Sequence, residues 1–355
     1  MKKRPLVSVV IVNYNGKKYL LKCLKGVFAN QYLNYEVIAV DNGSTDGSVT
    51  EAMKRYGRKK NFIALGLKKN YGPAYARNRG AARAKGKYLA FLDNDTLPEK
   101  DWLISLVAVM EKDPSIGACQ CKLLLVKDRR KFDYAGDYLS QFGFLVQRVE
   151  GGEIDRGQAD QKVEILSAKS AAMIINREAF KKAGGFDKDY FIFLEETDLG
   201  WRTWLAGYRI IFVPESKVYH EFGTTSLIAP SLQNYNLRFH GTKNYITTNF
   251  KNLETINLIK ILPIHIFLWL GIGIWLLVKR QFQNGFYVLK GVIWPFFNLG
   301  KLIKKRTKIQ RRRKVSDNKI FPKIFRRISF KYFYDKLTGV HKIGHAKSYY
   351  YEKGN

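Results

Sequence analysis

"KYLAFLDNDTLPEKDW", Lys87 to Trp102, drives an apolar run, Tyr88 to Leu92, into Asp93-Asn94-Asp95, with Pro98 close behind. A short, continuous apolar run of this kind reads as a strand buried on both faces. The stretch after it, "EKDWLISLVAVMEKD" (99–113), reads as a helix. The same strand–helix unit recurs upstream. "LVSVVIV" (6–12), "YEVIAV" (35–40) and "NFIALG" (61–66) read as strands. "GKKYLLKCLKGVFAN" (16–30), "DGSVTEAMKRYG" (46–57) and "GPAYARNRGAARAKG" (72–86) read as the helices between them, the last one stopped at Gly86. This alternation predicts an α/β fold with a mostly parallel central sheet flanked by helices. Ligands bind such sheets beyond the carboxyl ends of the strands. Asn13, Asp41 and Asp93 all fall there.

The chain has 355 residues and a formal net charge of +32. Its length suits one large domain with an appendage, or two domains. An apolar content of 46% excludes global disorder. The charge implies a polyanionic partner: nucleic acid, an anionic membrane surface or phosphorylated substrates. It is unevenly spread. "KLIKKRTKIQRRRK" (301–314) holds no acid, whereas the acids of the first half cluster as Asp41/Asp46, Asp93/Asp95 and Glu195/Glu196/Asp198. Cys23, Cys119 and Cys121 form neither a disulfide framework nor a zinc pattern and fit a reducing compartment. The basic, then apolar N-terminus is broken by Asn13 and Asn15, so it reads as a first strand rather than a signal peptide.

Residues 115–170 look less regular and include "EGGEIDRG" (150–157), a surface loop. "SAAMIINREAFKKAGGFD" (170–187) reads as a strand, a helix and a glycine stop. "EETDLGWRTWLAGYR" (195–209) reads as a helix opening with acids, which suit its positive N-terminal dipole. "IIFVPE" (210–215) reads as a strand. Composition then shifts. "ILPIHIFLWLGIGIWLLV" (261–278) would span about 27 Å as a helix, against a hydrocarbon core of about 30 Å. "GFYVLKGVIWPFFNLG" (285–300) is a second apolar segment, and Trp269, Trp275 and Trp294 add aromatic anchors. Membrane contact is expected, because both segments are apolar around their circumference and abut the basic run. Spanning and lying in the interface both remain open readings, beside that of a buried helical hairpin.

Four constellations carry chemistry. In "VDNGSTDGS" (40–48) Asn42-Gly43 makes a turn, Ser44 or Asp46 caps the next helix, and Asp41 stands at the strand end, where it can accept from a nucleobase or a ribose. Asp93 and Asp95 can converge on a hard cation, or Asp95 can cap a helix. Glu195, Glu196 and Asp198 either complement a helix dipole or supply a general base whose pKa is raised by its neighbours and by burial. In "VYHEFGTTS" (218–226) His220 is either structural or a ligand, according to whether the fold brings it to Asp95.

In this order the motifs "VSVVIVNYNG", "VDNGSTDGS", "NYGPAYARNRG", "FLDNDT", "GGFDKDYFIFLEETDLGWR" and "VYHEFGTTS", over about residues 5–226, make the sequence resemble family 2 glycosyltransferases of the GT-A fold, especially bacterial rhamnosyltransferase-like members. The resemblance implies that Tyr14 and Asp41 contact the donor's nucleobase, and that Asp93 approaches its ribose and diphosphate. It further implies that Asn70 and Arg77 line the donor pocket. Asp95 and His220, with Asp93, would hold a divalent cation, Mn²⁺ or Mg²⁺. Glu196 stands where the family usually has an aspartate base, which leaves Glu195 and Asp198 as alternative bases. The Gln-x-x-Arg-Trp motif of processive members is absent, so transfer of a single sugar is expected. The implied domains are a GT-A catalytic domain (1–235), a helical membrane-associating segment (236–300) and a basic tail (301–355). The expected partners are a nucleotide-sugar donor, a glycan or lipid-linked acceptor and the anionic cytoplasmic face of the cell membrane. A nucleotidyltransferase, or a nucleic-acid binder using "FRRISFKYFYDK" (325–336), is the competing reading. The nucleic-acid reading leaves the clustered acids unexplained.

Overall fold

The computed structural model describes residues 4–221 and 235–332. The end of the His220 motif, from Phe222 to Ser226, and the Tyr-rich tail beyond residue 332 lie outside the described residues. The chain opens with β1 (Val7–Asn13), α1 (Lys17–Phe28), β2 (Tyr35–Asp41), α2 (Ser48–Tyr56), β3 (Phe62–Gly66), α3 (Pro73–Arg83) and β4 (Tyr88–Asp93). β1 runs between β2 and β4 and parallel to both, and β3 pairs parallel outside β2. Every residue of β1 is buried, which explains its unbroken apolar run. The register sets Asn13 beside Asp41 and Val12 beside Asp93. Three strand ends therefore deliver polar side chains to one edge.

α3 lies close on this sheet. A Cβ at Gly80 would sit 2.3 Å from Val10 Cγ1. α3 ends at Arg83, before the expected stop at Gly86. Gly86 serves a different purpose: its N–H donates to Ser8 Oγ at 2.8 Å, and a Cβ there would lie 2.7 Å from the Ser8 nitrogen.

The chain continues through β5 (Thr96–Pro98), α4 (Trp102–Lys112), β6 (Ile116–Leu125), β7 (Phe132–Tyr134), β8 (Asp137–Leu139), β9 (Leu145–Gln147), β10 (Val163–Glu164), β11 (Ala172–Asn176), α5 (Arg177–Ala183), α6 (Glu195–Leu205) and β12 (Arg209–His220). The main sheet runs β10-β12-β6-β11-β4-β1-β2-β3, with β5 on β12 and β7 on β6. β11 is antiparallel to both β4 and β6, so a mixed extension grows from a parallel core. The irregularity expected at 115–170 is corrected here, since β6 is a central strand. Two polar residues disguised it. Gln120 is fully buried and bonds the carbonyls of Cys121 and Ala172. Buried Lys122 pairs with Asp155 and Asp160.

Among the described residues five helices follow: α7 (Tyr235–Asn252), α8 (Thr255–Val278), α9 (Phe282–Phe297), α10 (Leu299–Arg312) and α11 (Asp317–Ile324). α7 packs against both α6 and α9, and buries Thr242, Asn244, Thr248, Asn249 and Lys251 between them. α8 and α9 pack together as an outer layer and contain the two apolar runs. The basic stretch 301–314 forms most of α10, and part of it turns inward. Lys301 pairs with Asp189, and Lys305 with Asp187 and Asp189. Arg306 donates to the carbonyls of Phe250 and Leu253 at the end of α7. Expected to serve lipid, this segment commits those three cations to the protein, while Lys304, Lys308 and Arg311 stay exposed.

Gly80→Val should lower the stability of the full chain by about 1–3 kcal/mol, read from urea melts. An unchanged midpoint would show that α3 is free to move off the sheet.

Candidate active site

Asn13 organises the strand ends. Its amide donates to Asp41 Oδ1 at 3.0 Å and to Ser48 Oγ at 2.8 Å, and its oxygen accepts from Asn94 Nδ2 at 2.7 Å. Asp41 also accepts from the Ser44 N–H at 2.9 Å, so it shapes the turn after β2 while standing at the sheet edge. Asn70 Oδ1 accepts from Asn42 Nδ2 at 2.8 Å and ties the loops after β2 and β3 together. Tyr14 follows β1, half-buried.

Asp93, Asp95 and His220 each place one ligand atom within 4.8 Å of the others. β5 sets Thr96 opposite His220 on β12, and so brings the imidazole to the acids. His220 Nε2 lies 3.3 Å from Asp95 Oδ1, and Nδ1 lies 3.1 Å from Asp133 Oδ2. Burial opposes protonation of His220, but the Asp133 and Asp95 carboxylates outweigh it and raise the group to about 10. Two carboxylates and an imidazole are a donor set that fits a divalent cation. Asp133 would then orient the histidine from behind, as outer carboxylates do for metal-bound imidazoles.

The acid pair is placed by a strained turn. Phe193 and Leu194, just ahead of α6, have left-handed φ values of 67° and 64°. Such non-glycine residues cost on the order of 1–3 kcal/mol each and persist only where the surroundings hold them. The Asn244 amide of α7 does so, donating to the carbonyls of Ile192 at 2.9 Å and Phe193 at 2.8 Å. Glu195 then points inward to Arg77 Nη1 at 2.9 Å, while Arg77 Nη2 reaches Asp93 Oδ1 at 2.6 Å. Burial works against the Arg77 charge, but Asp93 and Glu195 more than offset it. Burial and then the neighbouring Glu196 push Glu195 up to about 8, against the pull of Arg77. Asp198 is fully buried, with Arg202, Lys251 and Asn252 on its oxygens. The fold does not bring it to the cleft.

Glu196 faces a cavity of about 440 Å³ lined by Tyr134, Asp137, Phe144, Lys169, Phe193 and Tyr245, among others. Its Oε2 is buried and has no hydrogen-bond partner among the described residues. Lys169 connects this cavity to the metal-type cluster, with Nζ 3.7 Å from Asp133 Oδ2. The arrangement sets a candidate cation site at one strand end beside Glu196, a carboxylate that lines a separate chamber. A family model, glycosyl transferase family 2, matches residues 8–184. The chain belongs to this family.

Relatives include the O-antigen biosynthesis protein RfbC of Myxococcus xanthus, 28% identical over 61% of this chain and 17% of that protein. The putative teichuronic acid biosynthesis glycosyltransferase TuaG of Bacillus subtilis is 38% identical over 28% of this chain and 40% of that protein. The matches thus span less than half the length of these relatives. Among solved structures, S. aureus TarS 1–349 matches with a TM-score of 0.54 and 17% identity, over 86% of this chain and 90% of that one. The mannosyltransferase PcManGT of Pyrobaculum calidifontis, in complex with GDP-Man and Mn²⁺, matches with a TM-score of 0.51 and 16% identity, over 84% and 88%. The fold is GT-A.

Asp133, Asp137, Lys169 and Asn244 are site residues that sequence reading passed over. The one signal for the first two is "FDYAGD" (132–137), where acids interrupt aromatic residues that the fold buries. Burial raises the Asp137 carboxyl from 3.8 to about 7, against hydrogen bonds from Tyr134 and Ser167. The folded state keeps this proton over a window in which the unfolded chain releases it, so stability falls as pH rises from 3.8 to about 7. Asp137→Asn should gain on the wild type across that window, by on the order of a few kcal/mol in urea melts. Parallel pH profiles for the two proteins would show that Asp137 is ionised in the fold.

Proposed function

We propose that this member of the family is an inverting, metal-dependent transferase. It moves one sugar from a nucleotide-diphosphate sugar to an acceptor hydroxyl on a lipid-linked glycan. The setting is cell-envelope polysaccharide synthesis at the cytoplasmic face of the membrane, with residues 1–235 catalytic and 236–300 in contact with the membrane. The observation that carries the reading is the pairing of the Asp93–Asp95–His220 cluster with an unpartnered Glu196 oxygen on the adjoining cavity. The envelope-polysaccharide relatives and a fold neighbour bound to GDP-Man and Mn²⁺ support it.

Asp93, Asp95 and His220 would hold a Mn²⁺ or Mg²⁺ ion. Once bound, the cation supplies neutralisation of the diphosphate leaving group. Tyr14, Asp41 and Asn70 lie along the strand-end loops, where the nucleoside would rest, and Arg77 fixes Asp93 beneath the diphosphate. The acceptor enters the cavity, and Glu196 removes its hydroxyl proton. The oxygen attacks the anomeric carbon from the face opposite the diphosphate. The bond to the diphosphate breaks, the nucleoside diphosphate leaves with the electron pair, and the anomeric configuration inverts. Glu195, tied to Arg77, holds the helix start in place rather than accepting the proton.

Glu196→Gln should keep donor binding and lose about 10²- to 10⁴-fold in transfer rate, the usual worth of a general base. Transfer at the wild-type rate would remove Glu196 from this role. Asp95→Ala, or EDTA on the wild type, should abolish donor binding measured by calorimetry, with Mn²⁺ or Mg²⁺ restoring it only to the wild type. Undiminished binding in EDTA would exclude the metal-dependent reading.

A further inference from the structure

The outer face of the α8–α9 layer is apolar and is not covered by any of the described residues. Ile259, Phe267 and Ile274 on α8, and Phe286, Phe296 and Phe297 on α9, are between 56% and 85% exposed. The opposite face of α8 is committed to protein along its length. Ile261 joins the core of the sheet domain. Buried His265 lies 2.7 Å from the Phe142 carbonyl and packs on the Phe144 ring. Ile272 and Leu276 pack on Val288 of α9.

By length and composition α8 can cross a membrane, but its attachments oppose that. Carrying α8 through a bilayer would drag the loop around Phe142 and Gly143, with its irregular backbone, into hydrocarbon, and lipid-exposed loops are not tolerated there. Charge identifies the surface that covers the face. From Thr255 to Ser316 the sequence holds no aspartate or glutamate, and Lys260, Lys279, Arg280 and Lys290 lie on α8 and α9 or on the turn between them. All four are exposed to solvent. An apolar face ringed by unopposed cations matches an interfacial helix on an anionic leaflet.

We propose that α8 and α9 lie flat on an anionic lipid leaflet, with the apolar face buried in it and neither helix crossing. The docking follows from this surface alone; its consequence for the acceptor rests on the transfer proposed above. Phe144 lines the Glu196 cavity and packs on His265 and Trp269 of α8. The cavity therefore lies about one helix diameter, roughly 10 Å, behind the lipid-facing side. A lipid-linked acceptor can keep its tail in the leaflet while its sugar reaches Glu196.

The test uses the full chain with sealed vesicles of phosphatidylcholine, alone or mixed with phosphatidylglycerol. Flotation with the anionic vesicles is expected, and Phe267→Glu with Ile274→Glu should reduce it at least tenfold while donor binding is unchanged. Single cysteines replacing Thr255 or Gln281, at the two ends of α8, should both react with an impermeant maleimide added outside; Cys23, Cys119 and Cys121 are buried. Protection of one end until the vesicles are lysed would mean that α8 spans and would overturn the proposal. So would normal flotation of the double variant, or a stable dimer in buffer that ignores anionic vesicles, since a second copy would then cover the face. Flotation reads the docking and sugar transfer reads the activity, so the failure of either is seen by itself.

Discussion

Arg77 is the joint on which the site depends. A guanidinium taken out of water is costly unless carboxylates meet it with good geometry. Here it is 3% exposed and bridges Asp93, at the end of β4, to Glu195, at the start of α6. Those two acids come from opposite halves of the domain and would otherwise repel each other. The bridge fixes the distance between the strand-end cluster and the acid pair. It also divides the labour between Glu195 and Glu196. One carboxylate is spent on the cation, which leaves the other to face the cavity. Asp198 has no such freedom, because Arg202 and Lys251 close over it.

The second constraint comes from outside the sheet. The left-handed turn at Phe193 and Leu194 does not hold itself, and its carbonyls are tied by Asn244 of α7. α7 is in turn packed against α9. The orientation of Glu196 is therefore set partly by helices that belong to the outer layer. This accounts for the unusual polarity of α7. Asn244, Thr248 and Asn249 serve as partners for the domain beneath, the last two meeting Tyr190 and the Gly143 carbonyl.

The parallel core was legible because its strands are buried on both faces and so read as unbroken apolar runs. Asp93, Asp95 and His220 were legible as candidates because strand ends are where α/β sheets present ligand-binding groups. β6 was not legible: Gln120 and Lys122 are polar yet buried, satisfied by Ala172 and by Asp155 from distant segments. Asp133 escaped for the same reason, since its meaning depends on His220, 87 positions away. The split between Glu195 and Glu196 lies beyond any linear reading. Adjacent residues on a helix point in different directions, and only the position of Arg77 decides which one turns inward. α7 carries no apolar stripe, so hydrophobic periodicity could not show that it is buried.

The positive charge divides into two populations with different physical roles. Lys251 and Lys305 meet at Asp187, and their charges outweigh burial to hold its carboxyl well below the usual range. Lys301 and Lys305 reach Asp189. Lys251 and Lys305 thereby tie α7 and α10 to the loop that leads, within a few residues, to Phe193 and Glu196. Other cations of the acid-free stretch, such as Lys304 and Arg311, face solvent, and their attraction for an anionic surface weakens with salt. The helical layer is thus bolted to the loop ahead of α6 by one set of cations, while the other set faces solvent. A shift of α10 would be felt first at Asp187 and Asp189, and next at the strained turn ahead of Glu196.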